Sequence, residues 1–351
     1  MSPDPDPEPD PIPDPAPADW STDTLLGEPF EARALPDEGT LVAFRGAVAA
    51  EGPAAGCAVL WVHGWSDYFF HRDLAVKWAG LGARFYALDL RGYGRSLLAS
   101  GFDGSGRALD GSGETTRPGY IEDLDEYEVE IGAALDLIDA EAPGTRIVLA
   151  GHSTGGLVLT LWADRHPGRA SALVLHSPWL EFQFTAGARK LLKPLLELGG
   201  LGNKQLWRNP IPVDMPNFYT LSVASHAGAV PYDLRLKPTG SFPVYPGWLA
   251  AIFDGHERVE DGLSIDVPVH VQTSTESVRG TSYSHRMAAA DIILDVDQIA
   301  GRAPSVSSTV VIDRVPGALH DSFLSAPEVA DRAWEGVERF VRGYVAPLPE
   351  A

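Results

Sequence analysis

Short apolar runs recur along the chain at intervals that leave room for a helix between them. Cys57–His63 reads CAVLWVH and ends at Gly64; Arg84–Leu90 reads RFYALDL and meets glycine one residue later; Arg146–Ala150 reads RIVLA before Gly151. Ala172–His176, Val267–Gln272 and Thr309–Val315 have the same character. Runs this short and this continuously apolar predict strands buried on both faces of a parallel sheet. The intervening pattern is helical. In Asp123–Glu141, Tyr127, Ile131, Ala134 or Leu135, and Ile138 recur at helical spacing with acids on the other face. Pro327–Tyr344 repeats this with Val329, Trp334, Val337, Phe340 and Val341. Strands alternating with helices predict an α/β fold with a mostly parallel central sheet flanked by helices.

Three segments break the alternation. From Pro178 to Asp261 the chain is rich in proline and aromatics, among them Trp179, Phe182, Phe184, Trp207, Phe218, Tyr219 and Trp248. A structureless loop of that length inside a compact domain is improbable, so 178–261 is expected to fold as a cap inserted into the core. Ser100–Gly119 is glycine-rich and polar and reads as a surface loop. At the N-terminus proline holds every odd position from Pro3 to Pro17, with acids at many even ones. Such a segment has few backbone donors and nothing to bury, so 1–19 reads as a disordered tail. The expected core is then 20–177 together with 262–351.

Composition narrows the function. With 351 residues, 44% of them hydrophobic, a sizeable core needs no disulfides or metals. The balance of 48 acids against 27 Lys and Arg gives a net charge of −21. That argues against a nucleic-acid binder and against electrostatic docking on an anionic membrane. The single cysteine, Cys57, excludes an intrachain disulfide framework and a multi-cysteine metal site. No apolar run approaches the roughly 18 residues of a membrane span, and the first residues lack the basic and apolar parts of a signal peptide, so the expected compartment is the cytoplasm.

Four short motifs carry the chemistry. Gly151-His152-Ser153-Thr154-Gly155 fits G-x-S-x-G and lies between the run RIVLA and the helix-like LVLTLWADRH. A turn that sharp strains the serine backbone and needs small neighbours, which makes Ser153 the candidate nucleophile. Val62-His63-Gly64-Trp65 closes an earlier strand. The backbone N–H of Trp65 is the candidate donor to an oxyanion, with the N–H of Thr154 as the second; His63 itself reads as a structural histidine. Leu319-His320-Asp321 follows the last strand and the Pro316-Gly317 turn, which makes His320 the candidate base. Its competitors are His285 and His270, the latter inside a strand run. The acid should follow the strand Val267–Gln272: Glu276 is nearest to the strand end, and Asp291 lies further on.

VHGW, LDLRGYGRS at Leu88–Ser96, GHSTGG, and PGALHDS at Pro316–Ser322 together resemble the α/β-hydrolase superfamily. Within it, they resemble the lysophospholipase and monoacylglycerol-lipase type of serine hydrolase. The resemblance implies an enzyme without a cofactor or metal that cleaves an ester, thioester or amide. It also implies that Asp291 and the apolar residues after it match the family's acid, with Ser277–Ala290 inserted ahead of it. Haloalkane dehalogenases and epoxide hydrolases of this fold place Asp where Ser153 stands. The expected function is a carboxylester hydrolase acting through a Ser-His-Asp triad on a small-molecule ester with an apolar acyl or aromatic group. A serine peptidase or acyltransferase comes second, and a binding protein without catalysis third.

Overall fold

The computed structural model describes residues 19–102, 117–183, 187, 189–194, 196, 204–211, 218–226 and 230–346. The Pro-rich tail up to residue 18, most of the 100–119 insertion and Phe184 lie outside the described residues. Among the described residues nine strands form one sheet: β1 (Ser21–Thr22), β2 (Phe30–Ala34), β3 (Thr40–Phe44), β4 (Cys57–Val62), β5 (Arg84–Asp89), β6 (Arg146–His152), β7 (Ala172–His176), β8 (Val269–Ser274) and β9 (Val310–Val315). Their order is β1-β2-β3-β5-β4-β6-β7-β8-β9. β1 to β3 pair antiparallel with each other, and β3 with β5; from β5 onward every pair is parallel.

The period of two along each central strand explains why the runs are apolar throughout. Leu60, Val62, Leu149, Leu173, Leu175, Val269 and Val271 belong to one core, together with the helices Glu128–Glu141, Thr154–Arg165 and Pro246–Asp261. Val59, Trp61, Val148, Ala150, Ala172 and Val174 belong to the other, under Arg72–Gly80 and Pro327–Phe340. Both faces are covered, so both residues of an alternating pair are buried and most are apolar, the polar exceptions such as Gln272 being hydrogen-bonded. β9 departs from the expected burial. It is the edge strand, and Ile312 is exposed on its open side. Of the antiparallel strands, β3 reads TLVAF and is buried, whereas β2 reads FEARA, only part-buried, and it is its pairing with β1 and β3 that makes it a strand.

The register sets where chemistry can sit. Val62 pairs with Gly151, His152 with His176, His176 with Gln272, and Ser274 with Val315. The carboxyl ends of β4, β6, β7, β8 and β9 are therefore in line along one side of the sheet, the side where ligands bind in open α/β sheets. Two residues of 178–261 reach this side: the Trp179 N–H donates to the Ser153 carbonyl at 3.0 Å, and Trp248 packs on Trp65 with ring centroids 3.8 Å apart. Trp179 and Phe182 are themselves packed into the core, on His256 and Phe253. Among the described residues no helix is long and apolar enough to cross a membrane.

The LDLRGYGRS segment turns out to be a buried electrostatic fastening. Arg95 holds both carboxylate oxygens of Asp23, at 2.6 and 2.8 Å, and one of Asp89 at 2.7 Å, and it donates to the Phe69 carbonyl at 3.0 Å. Asp89 also accepts from the N–H groups of Phe69 and Arg95. Gly94, at φ +47°, lets the chain pass over Asp89, since a Cβ there would lie 2.2 Å from its Oδ2. Burial raises the Asp23 pKa, but the hydrogen bond and charge of Arg95 outweigh it, and the net shift is downward from 3.8. Replacing Arg95 by Met leaves two carboxylates buried without their cation, and should cost about 3–5 kcal/mol in chemical denaturation at neutral pH. A lowered carboxylate pKa stabilises above the unfolded value and stops doing so as pH falls through the folded value. The gap between wild type and Arg95→Met should therefore narrow in acid; a gap independent of pH would refute this account of the cluster.

Candidate active site

The elbow at Ser153 follows from close packing. The helix Thr154–Arg165 starts so near β4 that a Cβ on Gly155 would lie 2.2 Å from the His63 carbonyl oxygen. A Cβ on Gly151 would meet the Gly155 carbonyl at 2.9 Å, and one on Gly156 would meet Pro178 at 2.8 Å. Glycine is the residue that fits all three places. Ser153 between them has φ +53° and ψ −118°, a region that a side-chain-bearing residue occupies only under constraint. The constraint is visible: its N–H donates to the His176 carbonyl at 3.0 Å, and its carbonyl accepts from Leu157 and Trp179. Ser153 lines a cleft of about 110 Å³ together with Trp65, Asp67, Tyr219, Lys237 and His320. A larger cleft of about 430 Å³, bordered by Arg45, Cys57 and Arg84, lies at the other end of the strands, away from the elbow.

His320 follows β9 and is buried. Its Nδ1 lies 2.9 Å from Asp291 Oδ2. A carboxylate only accepts, so Nδ1–H donates and the neutral ring keeps its lone pair on Nε2. Asp291 is fully buried, and its other oxygen accepts from the N–H groups of Ile293 and Leu294, both at 2.8 Å. The apolar residues that follow Asp291 thus supply the backbone donors that fix it. The chain leaves β8, makes an excursion over 278–290 and returns. The Asp291 N–H then donates to the Glu276 carbonyl, and the Val278 N–H to the Asp291 carbonyl. Both candidate acids stand side by side at the strand end, but the Glu276 side chain is 45% exposed and paired with Arg286, whereas the Asp291 carboxylate faces the imidazole.

His285, His270 and His63 stand apart from the cleft. His285 is exposed. His270 is buried against Phe340, 3.8 Å from Asp313. His63 has Nδ1 at 2.8 Å from the Gly64 carbonyl and Nε2 accepting from the Leu90 N–H at 3.1 Å, and burial pushes its pKa down, so the ring is a neutral brace between two loops. Gly64 gives Ser153 room, since a Cβ there would lie 3.0 Å from the serine Cβ. Trp65 follows it, and Thr154 opens the helix behind the serine.

Around the cleft is a buried polar cluster that the motifs did not single out. Lys237 Nζ donates to Asp67 Oδ1 at 2.7 Å, and Asp67 Oδ2 lies 3.5 Å from His152 Nδ1. His71 Nε2 lies 3.0 Å from Asp321 Oδ2, and the rings of His152 and His320 are 4.8 Å apart. Burial works against ionisation of Asp67 and Asp321. The Lys237 charge at Asp67 and the His71 charge at Asp321 prevail, and both carboxyls sit well below the usual carboxylate range. Asp67, His152 and Asp321 offer three ligand atoms within 4.8 Å of one another. The positive charge at Asp67 comes from the Lys237 ammonium. His152 and Asp321 adjoin Ser153 and His320 in sequence, and that adjacency is the signal that could have found them. Lys237 carried none.

The chain is similar to known lipases along parts of its length. Over 121 residues it is 28% identical to a monoacylglycerol lipase of Mycolicibacterium smegmatis, covering 34% of this chain and 37% of that protein. Over 156 residues it is 30% identical to the monoglyceride lipase of Homo sapiens, covering 42% and 46%. The matches thus span less than half the length of these relatives. The monoacylglycerol lipase of Paleococcus ferrophilus shares the fold, with a TM-score of 0.56 at 20% identity over 84% of this chain and 97% of that one. The model of the Hydrolase_4 family, described as serine aminopeptidase S33, matches residues 54–276, and with more than half of its length inside that match the chain belongs to this family of α/β-hydrolases.

Proposed function

We propose that the protein hydrolyses carboxylic esters, with Ser153 as nucleophile, His320 as base and Asp291 as the acid that orients it. The observation that carries this reading is the Asp291–His320 hydrogen bond beside a serine held in a strained elbow, all three at the carboxyl ends of parallel strands. In the reaction His320 Nε2 takes the hydroxyl proton as Ser153 Oγ attacks the ester carbonyl. The negative charge that develops on the carbonyl oxygen is stabilised by the N–H groups of Trp65 and Thr154, and the imidazolium by Asp291. The imidazolium returns the proton to the departing alkoxide, which leaves as the alcohol. Water then attacks the acyl-serine, giving its proton to His320, and collapse of the second tetrahedral species releases the carboxylic acid and Ser153. No cofactor or metal enters these steps.

The segment 178–261 acts in this reading as a cap. The apolar part of the cleft comes from Trp65, Tyr219, Tyr232, Pro238 and Ile293. Such a lining suits an apolar acyl or aromatic group, and the lipase relatives favour a monoacylglycerol-like ester over a peptide. A peptidase that reads a free N-terminal ammonium needs an unengaged carboxylate at the cleft. Among the described residues the carboxylate that lines it is Asp67, which is engaged by Lys237.

Ser153→Ala should abolish labelling by a fluorophosphonate probe with the fold intact, and should lower turnover of a p-nitrophenyl ester by roughly 10⁴ to 10⁶-fold. Labelling that persists in the variant would end the serine-hydrolase reading. Asp291→Asn should lower kcat toward the roughly 10⁴-fold loss typical of a triad Asp changed to Asn, because the amide favours the wrong imidazole tautomer. Glu276→Gln, acting on an exposed ion pair, should change kcat by less than about threefold. The reverse order of costs in steady-state kinetics would transfer the role to Glu276.

A further inference from the structure

The residues after the Gly64 turn are gripped almost one by one by a single stretch of the 178–261 segment. The Trp65 ring stacks on Trp248 with centroids 3.8 Å apart. Ser66 Oγ accepts from the Phe242 N–H at 3.0 Å. Asp67 Oδ1 accepts from Lys237 Nζ at 2.7 Å. The Tyr68 hydroxyl accepts from the Asp233 N–H at 2.7 Å. Phe70 meets Tyr232 with ring centroids 5.3 Å apart. Between Tyr68 and Phe70, Phe69 is anchored in the core, its N–H and carbonyl held by Asp89 and Arg95.

Two features show that the middle of this loop does not hold its shape unaided. Ser66 has φ +52°, a conformation a serine keeps only where its surroundings impose it. Asp67 is a buried carboxylate, which needs a cation and hydrogen bonds to be there at all. Lys237 meets that need. Its ammonium is buried with the carboxylate and ringed by Phe70, Tyr219 and Tyr232 at 5.6 to 5.9 Å from their centroids, so it has little freedom to leave.

We infer that Lys237 is a positioning residue for the oxyanion donor: its ion pair with Asp67, and the flanking bonds from Asp233 and Phe242, hold the Gly64–Tyr68 loop so that the Trp65 N–H points at the reacting carbonyl. The inference rests on the proposed roles of Ser153 and Trp65. It assigns the stretch 232–248 a task different from covering the substrate: this part of the segment is a fixed wall of the oxyanion site. An N–H displaced by a fraction of an ångström stabilises the tetrahedral oxyanion less while leaving binding of the neutral ester largely intact. The defect therefore belongs in kcat and not in KM.

The test is steady-state kinetics on a p-nitrophenyl ester with Lys237→Met, Lys237→Arg and Tyr68→Phe, with inhibition by a trifluoromethyl ketone as probe of oxyanion binding. Removing an oxyanion donor outright costs about 10² to 10³ in kcat, so loosening it through Lys237→Met should cost about 10 to 100-fold. KM should stay within about twofold, and the trifluoromethyl ketone should weaken by the same factor as kcat. Lys237→Arg, which keeps the ion pair, should recover most of kcat. Tyr68→Phe, a milder change that keeps the ring, should show a smaller loss of the same kind even if Lys237→Met folds poorly. Lys190→Met, which removes an exposed pair with Glu260 on the same segment, should leave all parameters unchanged. Unchanged kcat in Lys237→Met and Tyr68→Phe, or a raised KM with kcat intact, would overturn the inference while fluorophosphonate labelling of Ser153 persists. A wild-type protein that the probe does not label at Ser153 would overturn the hydrolase reading and this inference with it.

Discussion

The approach of the helix Thr154–Arg165 to the end of β4 is the constraint on which the rest of the site depends. With no Cβ at position 155, the first turn of that helix lies against the carbonyls of Val62 and His63. That contact brings the end of β6 within reach of the loop after β4 and drives Ser153 into a backbone conformation costing about 1–3 kcal/mol. The cost is met by hydrogen bonds from three directions, from β7, from the helix itself and from Trp179 at the entry to the 178–261 segment. The serine is thus fixed by the sheet, the helix and the cover together. Its neighbours Gly64 and Gly156 are small because the serine Cβ and Pro178 already fill the space a larger residue would need.

Charge is arranged differently inside than outside. The chain carries a net charge of −21, yet the buried acids Asp23 and Asp89 are matched to Arg95, and Asp67 to Lys237. A hydrophobic replacement of such pairs is often as stable, so their value lies in geometry. An ion pair with short hydrogen bonds admits few orientations, and each of these ties a loop at the carboxyl ends of the strands to another element. Arg95 ties Asp23, just after β1, to Phe69 at the end of the loop after β4, and Lys237 ties Asp67 in the middle of that loop to the 178–261 segment.

How far the sequence could be read follows from how local each signal is. The inner parallel strands are local signals: burial on both faces demands largely apolar runs, and these stand out as CAVLWVH or RIVLA. The elbow is local too, because its glycines are imposed by contacts within a few residues. β2 was invisible because a half-exposed strand such as FEARA looks like any mixed segment until its partner is known. β9 looked central because a run of apolar residues does not say which strand is at the edge. Between Asp291 and Glu276 the strand end could not choose, because the excursion brings both back to the same place. What separates them is the pair of N–H groups at Ile293 and Leu294, which turn one carboxylate inward. Lys237 was out of reach altogether: its partner is 170 residues away, and a single lysine in a proline-rich stretch has no pattern.

The closed excursion between β8 and Asp291 has a consequence for how this fold tolerates change. The two ends of the detour are tied by the parallel bridge of Ser277 with Asp291, while Val278, Met287 and Ala290 form a small core of their own. Once the ends are pinned, the contour between them is free to vary, and the entropy of closing a flexible loop rises by only about 0.6 kcal/mol for each doubling of its length. The exposed turn at Gly280–Ser282 is therefore a place where chain can be added or removed while the carboxylate stays where it is. The Asp291–His320 contact is insulated from the length of the segment that precedes Asp291, so the turn between β8 and Asp291 is a good site for insertion.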